Sequence, residues 1–191
     1  MRRERNFIGP AGMGGTVGLW GASSMVQSVQ YGTTTLSSVA TSNTATIAAV
    51  NVSHAILIDL RQSNNWSGGT QPAYTSNTLA LTNSTTVTAF RNASGGIELV
   101  AAFAVLELAP GVVKSIQSGR VAGAGTVTAT ITGVNTAKTF LLSLGLEGDS
   151  GGRDDAFYAR MALTNSTTIT FTRGASAGGG PTAGWIAIEE F

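Results

Sequence analysis

Ala80-Leu81-Thr82-Asn83-Ser84-Thr85-Thr86-Val87-Thr88 returns later in the chain as Ala162-Leu163-Thr164-Asn165-Ser166-Thr167-Thr168-Ile169-Thr170. A long self-match is read before any single element, because it makes the fold a repeated unit. The match extends outward in order. Arg91-Asn92-Ala93-Ser94 is answered by Arg173-Gly174-Ala175-Ser176, and Ala45-Thr46-Ile47 by Ala129-Thr130-Ile131. Both copies open alike, with Ser28-Val29-Gln30 and Ser115-Ile116-Gln117, and close alike, with Phe103-Ala104-Val105-Leu106-Glu107 and Trp185-Ile186-Ala187-Ile188-Glu189. Apolar anchors align as well as hydroxyl residues, so shared low complexity does not explain the match. The copies span residues 26–110 and 111–191, behind an arm of residues 1–25, and Pro110-Gly111 forms the joint.

The repeated segments read as strands. Thr126-Val127-Thr128-Ala129-Thr130-Ile131-Thr132 alternates apolar residues with threonine, the period of a strand with one buried face. Ile56-Leu57-Ile58-Asp59-Leu60 and Phe140-Leu141-Leu142-Ser143-Leu144 are nearly continuous apolar runs, which suits strands covered on both faces. The closing strand of each copy is apolar on both parities, so it is expected to be central or covered. Thr164-Asn165-Ser166-Thr167 reads as a tight turn in which asparagine takes a left-handed backbone. No amphipathic helix is evident. The expected fold is all-β: two tandem small antiparallel β-sandwich domains preceded by an extended Gly-rich N-terminal arm. Shared parity predicts two ion pairs at the rim of each core, Arg91–Glu107 and Arg173–Glu189.

Composition limits the function. Only 11% of the 191 residues are charged and the formal net charge is +1. Such a chain has no field to draw nucleic acid or an acidic membrane. The absence of cysteine removes disulfides, thiolate chemistry and cysteine-ligated zinc. No apolar run reaches the ~18 residues of a membrane span, so membrane insertion is not expected. A surface of hydroxyls and amides suits packing against neighbours, since neutral polar groups cost less to bury than charges.

The second copy reads Val113-Lys114-Ser115-Ile116-Gln117-Ser118-Gly119, a threonine-alternating strand, Ala137-Lys138-Thr139-Phe140, then Arg160-Met161-Ala162-Leu163 and the repeated turn. This pattern resembles a small β-domain found in the virion proteins of tailed bacteriophages, of the tail-fibre, neck and head-decoration kinds. The first copy departs from it, with Tyr31 after Gln30 and Ser53-His54-Ala55 in place of Ala137-Lys138-Thr139. The resemblance implies a virion structural protein that forms a symmetric oligomer in the tail, neck or fibre region. The alternatives it leaves are a capsid decoration protein and a carbohydrate-binding module at a fibre tip. Expected partners are further copies of the chain, other virion proteins and, for the last alternative, a host surface glycan.

The arm carries Arg2, Arg3 and Arg5, then six glycines with Phe7 and Trp20 among them. Glycine pays the largest ordering entropy, so an ordered arm needs a surface to lie on. Arg2, Arg3, Arg5, Phe7 and Trp20 are therefore candidate assembly anchors. Trp66, Tyr74 and Tyr158 fall in or near long inter-strand loops and are candidate contacts for a partner or a sugar.

Catalytic chemistry is not expected, and neither is a cofactor. Gly148-Asp149-Ser150-Gly151-Gly152 matches the segment around the nucleophile of trypsin-like serine proteases. A serine nucleophile needs a base and an orienting acid. His54 is the only histidine, and the acids between it and Ser150 are Asp59, Glu98, Glu107, Glu147 and Asp149, of which Asp59 shares a strand run with it. His54 reads instead as a strand-end or interface residue. Glu147, Asp149, Asp154 and Asp155 gather near one loop, but the spacing lacks the alternating pattern of a calcium loop, and Arg153 lies within it. That group reads as a solvated loop rather than a metal site.

Overall fold

The computed structural model describes residues 25–65, 75–148, 159–173 and 182–191. The chain there is all-β. The strands of the first copy are β1 (Val26–Leu36), β2 (Ser42–Thr46), β3 (Ala55–Asn64), β4 (Thr78–Asn83), β5 (Thr86–Phe90) and β6 (Leu99–Leu108). Those of the second are β7 (Val113–Ala122), β8 (Thr126–Thr130), β9 (Thr139–Leu146), β10 (Ala159–Asn165), β11 (Thr168–Arg173) and β12 (Thr182–Glu190). Two short 3₁₀ segments, Val52–His54 and Thr136–Lys138, sit at the same place in each copy.

All pairings are antiparallel. The first copy forms the ladders β1-β6-β3 and β2-β5-β4, and the second forms β9-β12-β7 and β10-β11-β8. A single bridge, Thr78 to Gly145, joins β4 to β9, so that β2-β5-β4-β9-β12-β7 counts as one six-stranded sheet. The closing strands β6 and β12 are each flanked on both sides, as their double-sided apolar pattern requires.

The repeat persists down to single hydrogen bonds. Gln30 clasps the backbone of Ala48 through both ends of its amide, and Gln117 does the same to Thr132. Asn51 and Asn135 cap the two 3₁₀ turns. Phe103 lies across Gly32, its direct cross-strand partner, and Trp185 lies across Gly119. A Cβ on either glycine would come within 2.5 Å of the Phe103 ring or 2.8 Å of the Trp185 ring, so the aromatic packing demands glycine there. In the hairpin turns, Asn83 and Asn165 each accept from the backbone N–H and the hydroxyl of the residue two positions on. Asparagine works here through its side chain. Arg61 is the one non-glycine with positive φ among the described residues, so the left-handed asparagine expected from the sequence is not found. Gly111 takes φ 85° in the connection between β6 and β7.

Two apolar clusters hold the sheets face to face in a sandwich-like arrangement. In the smaller, Trp185 and Ala187 of β12 meet Ile169 and Phe171 of β11, with Ile131 and Val134 beside them. The larger contains Leu57, Leu79, Val87 and Phe103 from the first copy, together with Leu144, Ile186 and Ile188 from the second. Along β12 the two parities therefore serve different clusters, one on each face of its sheet.

The expected Arg91–Glu107 ion pair does not form. The prediction placed β5 and β6 side by side, but they lie in different sheets. Arg91 is buried where β5 meets the turn after β1, and its guanidinium donates to the carbonyls of Ser37, Ala40 and Ile97, the last two at 2.7 Å. Burial holds its pKa below the usual arginine value. Glu107 instead takes the Asn51 N–H at 2.8 Å and the Ser28 hydroxyl at 3.1 Å. Its counterpart Glu189 takes the Asn135 N–H and the Ser115 hydroxyl, and adds Lys114 at 2.8 Å. The side chain of Arg173 lies outside the described residues.

Glu189 also supplies a pH dependence. The Lys114 ammonium first, then the Asn135 N–H, hold its carboxyl below the ordinary value of 4.5. A depressed carboxylate contributes its stability above the unfolded pKa and loses it as pH falls through the folded one. Urea titrations of Glu189→Gln should therefore fall less steeply than wild type as pH drops below 4.5. Parallel curves for the two proteins would show that Glu189 carries no such linkage.

Candidate functional site at the junction of the two copies

The notable polar site joins the copies. Arg120 projects from β7, and Glu147 follows directly after β9. Glu147 is buried and pairs with the Arg120 guanidinium. The Thr78 hydroxyl, at the first residue of β4, donates to the same carboxylate oxygen and accepts from Arg120 Nε at 2.9 Å. The guanidinium also lies over the Phe90 ring, 3.9 Å from its centre, a cation–π contact. Ser76 Oγ accepts from the Gly148 N–H at 2.7 Å, and the Asn92 amide donates to the Gly148 carbonyl at 3.0 Å. Thus Ser76, Thr78, Phe90 and Asn92 of the first copy hold Arg120, Glu147 and Gly148 of the second.

A shared backbone feature sits beside this lock. β3 and β9 each bulge at the same point of the repeat, at Arg61 (φ 82°) and Gly145 (φ 96°). In both, the side chain two residues earlier accepts the bulged N–H: Asp59 at 2.8 Å and Ser143 at 3.2 Å. The bulge in β9 brings Gly145 against the backbone of Asn77 and Thr78, which is where the two copies bridge.

Next to the bulges lies a cavity of about 390 Å³. Leu146, Met161, Phe171 and Ala183 line its apolar wall, and Asp59, Arg61 and Ser143 its polar side. Burial raises the Asp59 pKa above its ordinary 3.8, opposed by the Arg61 N–H and the Arg61 charge. Among the described residues, no three His, Cys, Asp or Glu side chains gather closely enough to hold a metal ion, and no helix is long and apolar enough to cross a membrane.

Comparison with protein families, curated proteins and solved structures finds no match for this chain.

Arg2, Arg3, Arg5, Phe7, Trp20, Trp66, Tyr74 and Tyr158 all lie outside the described residues, as do Asp149, Ser150, Asp154 and Asp155. His54 ends the first 3₁₀ turn, directly before β3, and that turn packs against β7. Glu147 corrects the solvated-loop reading, because it is buried and fully engaged by Thr78 and Arg120. The junction residues had one sequence signal, which lay in the differences between copies. Arg120 and Glu147 align with Thr33 and Ser63, and Gly145 aligns with Arg61.

Proposed function

We propose that this chain is a non-enzymatic structural protein of a tailed-bacteriophage virion, assembling as a symmetric oligomer in the tail, neck or fibre region. In this reading it consists of two copies of one small β-sandwich unit, residues 26–110 and 111–191, behind the arm of residues 1–25. The observation that carries the reading is the duplicated strand pattern, whose second copy resembles the small β-domain of phage virion proteins. Other features agree with it. Asn51, Asn83, Asn135 and Asn165 serve caps and turns, Arg120 and Glu147 serve the junction, and the low charge leaves a surface suited to packing against neighbours. Its partners are other copies of itself and other virion proteins.

The test is direct. Particles purified from the phage that encodes this chain should contain it in stoichiometric amount by quantitative mass spectrometry, and gold-labelled antibody should mark one fixed position on them. A chain found only in the infected-cell lysate, and not in washed particles, overturns the proposal.

A further inference from the structure

Among the described residues the sheets end on six edge strands, β1, β2, β3, β7, β8 and β10. An open edge offers unpaired N–H and C=O groups to any strand that meets it, so proteins shorten, bend or charge their edges. Five of the six are guarded in this way. β2 and β8 have five residues each, β3 is bulged and carries Asp59 and Arg61, and β10 carries Arg160. β7 carries Lys114 and Arg120 and has the Val52–His54 turn packed against it. β1 has none of these guards. It runs for 11 residues, holds neither charge nor proline, and keeps an unbroken register with β6 from Ser28 to Leu36.

The middle of that edge is also free. Successive residues of an antiparallel strand turn their N–H and C=O alternately to one neighbour and to the other. The Ala109 N–H donates to the Met25 carbonyl just before the ladder, and the Asn43 amide donates to the Thr35 carbonyl from outside it, at 2.7 Å. With one extra residue between Val26 and Ser28, both contacts fix the same phase. Val29, Tyr31 and Thr33 therefore turn their backbone groups away from β6. None of those groups has a hydrogen-bond partner among the described residues. The side chains at these positions are exposed, Val29 at 47% and Tyr31 at 76%. In the second copy the counterparts of Tyr31 and Thr33 are Ser118 and Arg120, and Arg120 is engaged in the junction.

We infer that β1 pairs antiparallel with β1 of a second copy of this chain, across a twofold axis at Tyr31. The edge is its own complement, as a twofold contact requires. Tyr31 meets Tyr31 and Val29 meets Thr33, so these residues exchange all their free N–H and C=O groups. The neutral sequence sets no like charges opposite each other, and it carries no charge with which to choose a foreign strand. Val29 and Tyr31 of both chains then share one sheet face, where the paired tyrosines and the valines beside them cover each other. Joined edge to edge, the two β1-β6-β3 ladders become one six-stranded sheet. The inference rests on the proposed assembly role and gives that role a twofold contact.

The chain has no cysteine, so a single Tyr31→Cys substitution reads the register. At a hydrogen-bonded antiparallel pair the two Cα atoms lie about 5.5 Å apart, within reach of a disulfide. Under mild oxidation Tyr31→Cys should form a covalent dimer, while Val39→Cys, 81% exposed and outside β1, should stay monomeric. Wild-type chain should sediment as a concentration-dependent dimer. Val29→Lys with Thr33→Lys sets lysine opposite lysine and should abolish that dimer. Val29→Lys with Thr33→Glu sets opposite charges face to face and should restore it. All the substituted positions are exposed, so the variants should fold, which circular dichroism checks. A wild type that stays monomeric at every concentration, Tyr31→Cys that links no faster than Val39→Cys, or a dimer that survives the double lysine substitution would each overturn the contact. Oligomers formed through another surface would still leave the virion role standing. A chain missing from purified particles would sink that role while leaving the contact measurable.

Discussion

Replacing Gly145 by alanine is expected to cost about 3 kcal/mol of stability, from two sources that add. A side chain at φ 96° sits in the left-handed region, at about 1–2 kcal/mol. The new methyl group would also meet the Asn77 carbonyl oxygen at 2.2 Å and the Thr78 Cα at 3.2 Å. These are backbone atoms with no rotamer to yield, and forced overpacking of this kind costs about 1–3 kcal/mol. For a chain of this length the midpoint of thermal unfolding should fall by about 10 °C. Arg61→Gly is the control, because Arg61 occupies the same bulge at φ 82°. That substitution should leave stability within about 1 kcal/mol of wild type, relief of strain being offset by the entropy of the unfolded chain. If Gly145→Ala melts with wild type, the close approach of β4 to β9 is not a fixed feature of the fold.

The sequence exposed the repeated parts of this fold and hid the parts where the copies differ. Strand alternation and the turns at Asn83 and Asn165 occur twice, so each copy vouches for the other. The double-sided apolar pattern of Leu99–Leu108 and Thr182–Glu190 called for strands that are central or covered, and both lie at the centre of their ladders. Parity failed at Arg91 and Glu107 because it fixes which face of a strand a residue occupies, and says nothing of which strand lies alongside. The exposure of Leu60 and Phe140, at the ends of two apolar runs, was equally hidden, since a run of apolar residues does not say where its cover stops. The junction residues stood out only as differences between the copies, and what they contact was unreadable for a different reason. Arg120 meets Glu147 and Thr78 only once the second copy turns its outer face onto the edge of the first, a choice made by packing and not by either copy's local pattern.

That choice yields the second large effect. Arg120→Met should destabilise the chain by about 3 kcal/mol, because removing one partner of a buried pair strands the other charge. Glu147 would keep the Thr78 hydroxyl but lose the guanidinium, and at 3% exposure it has little water to replace it. Methionine keeps an unbranched apolar chain in place of the arginine stem but loses the guanidinium stacked on Phe90, so the cycle with Glu147→Gln is needed to isolate the charge. Adding Glu147→Gln to Arg120→Met should recover most of the loss, since a neutral amide can still accept from Thr78 and no ion remains unpaired. The cycle built from both single variants and the double variant isolates the coupling, and a coupling near zero would mean that the two side chains do not meet in solution. The same measurements in high salt separate a buried pair from a surface one, because screening weakens exposed charges far more than buried ones. A coupling that survives salt would mean that Arg120 and Glu147 fix how the second copy seats on the first.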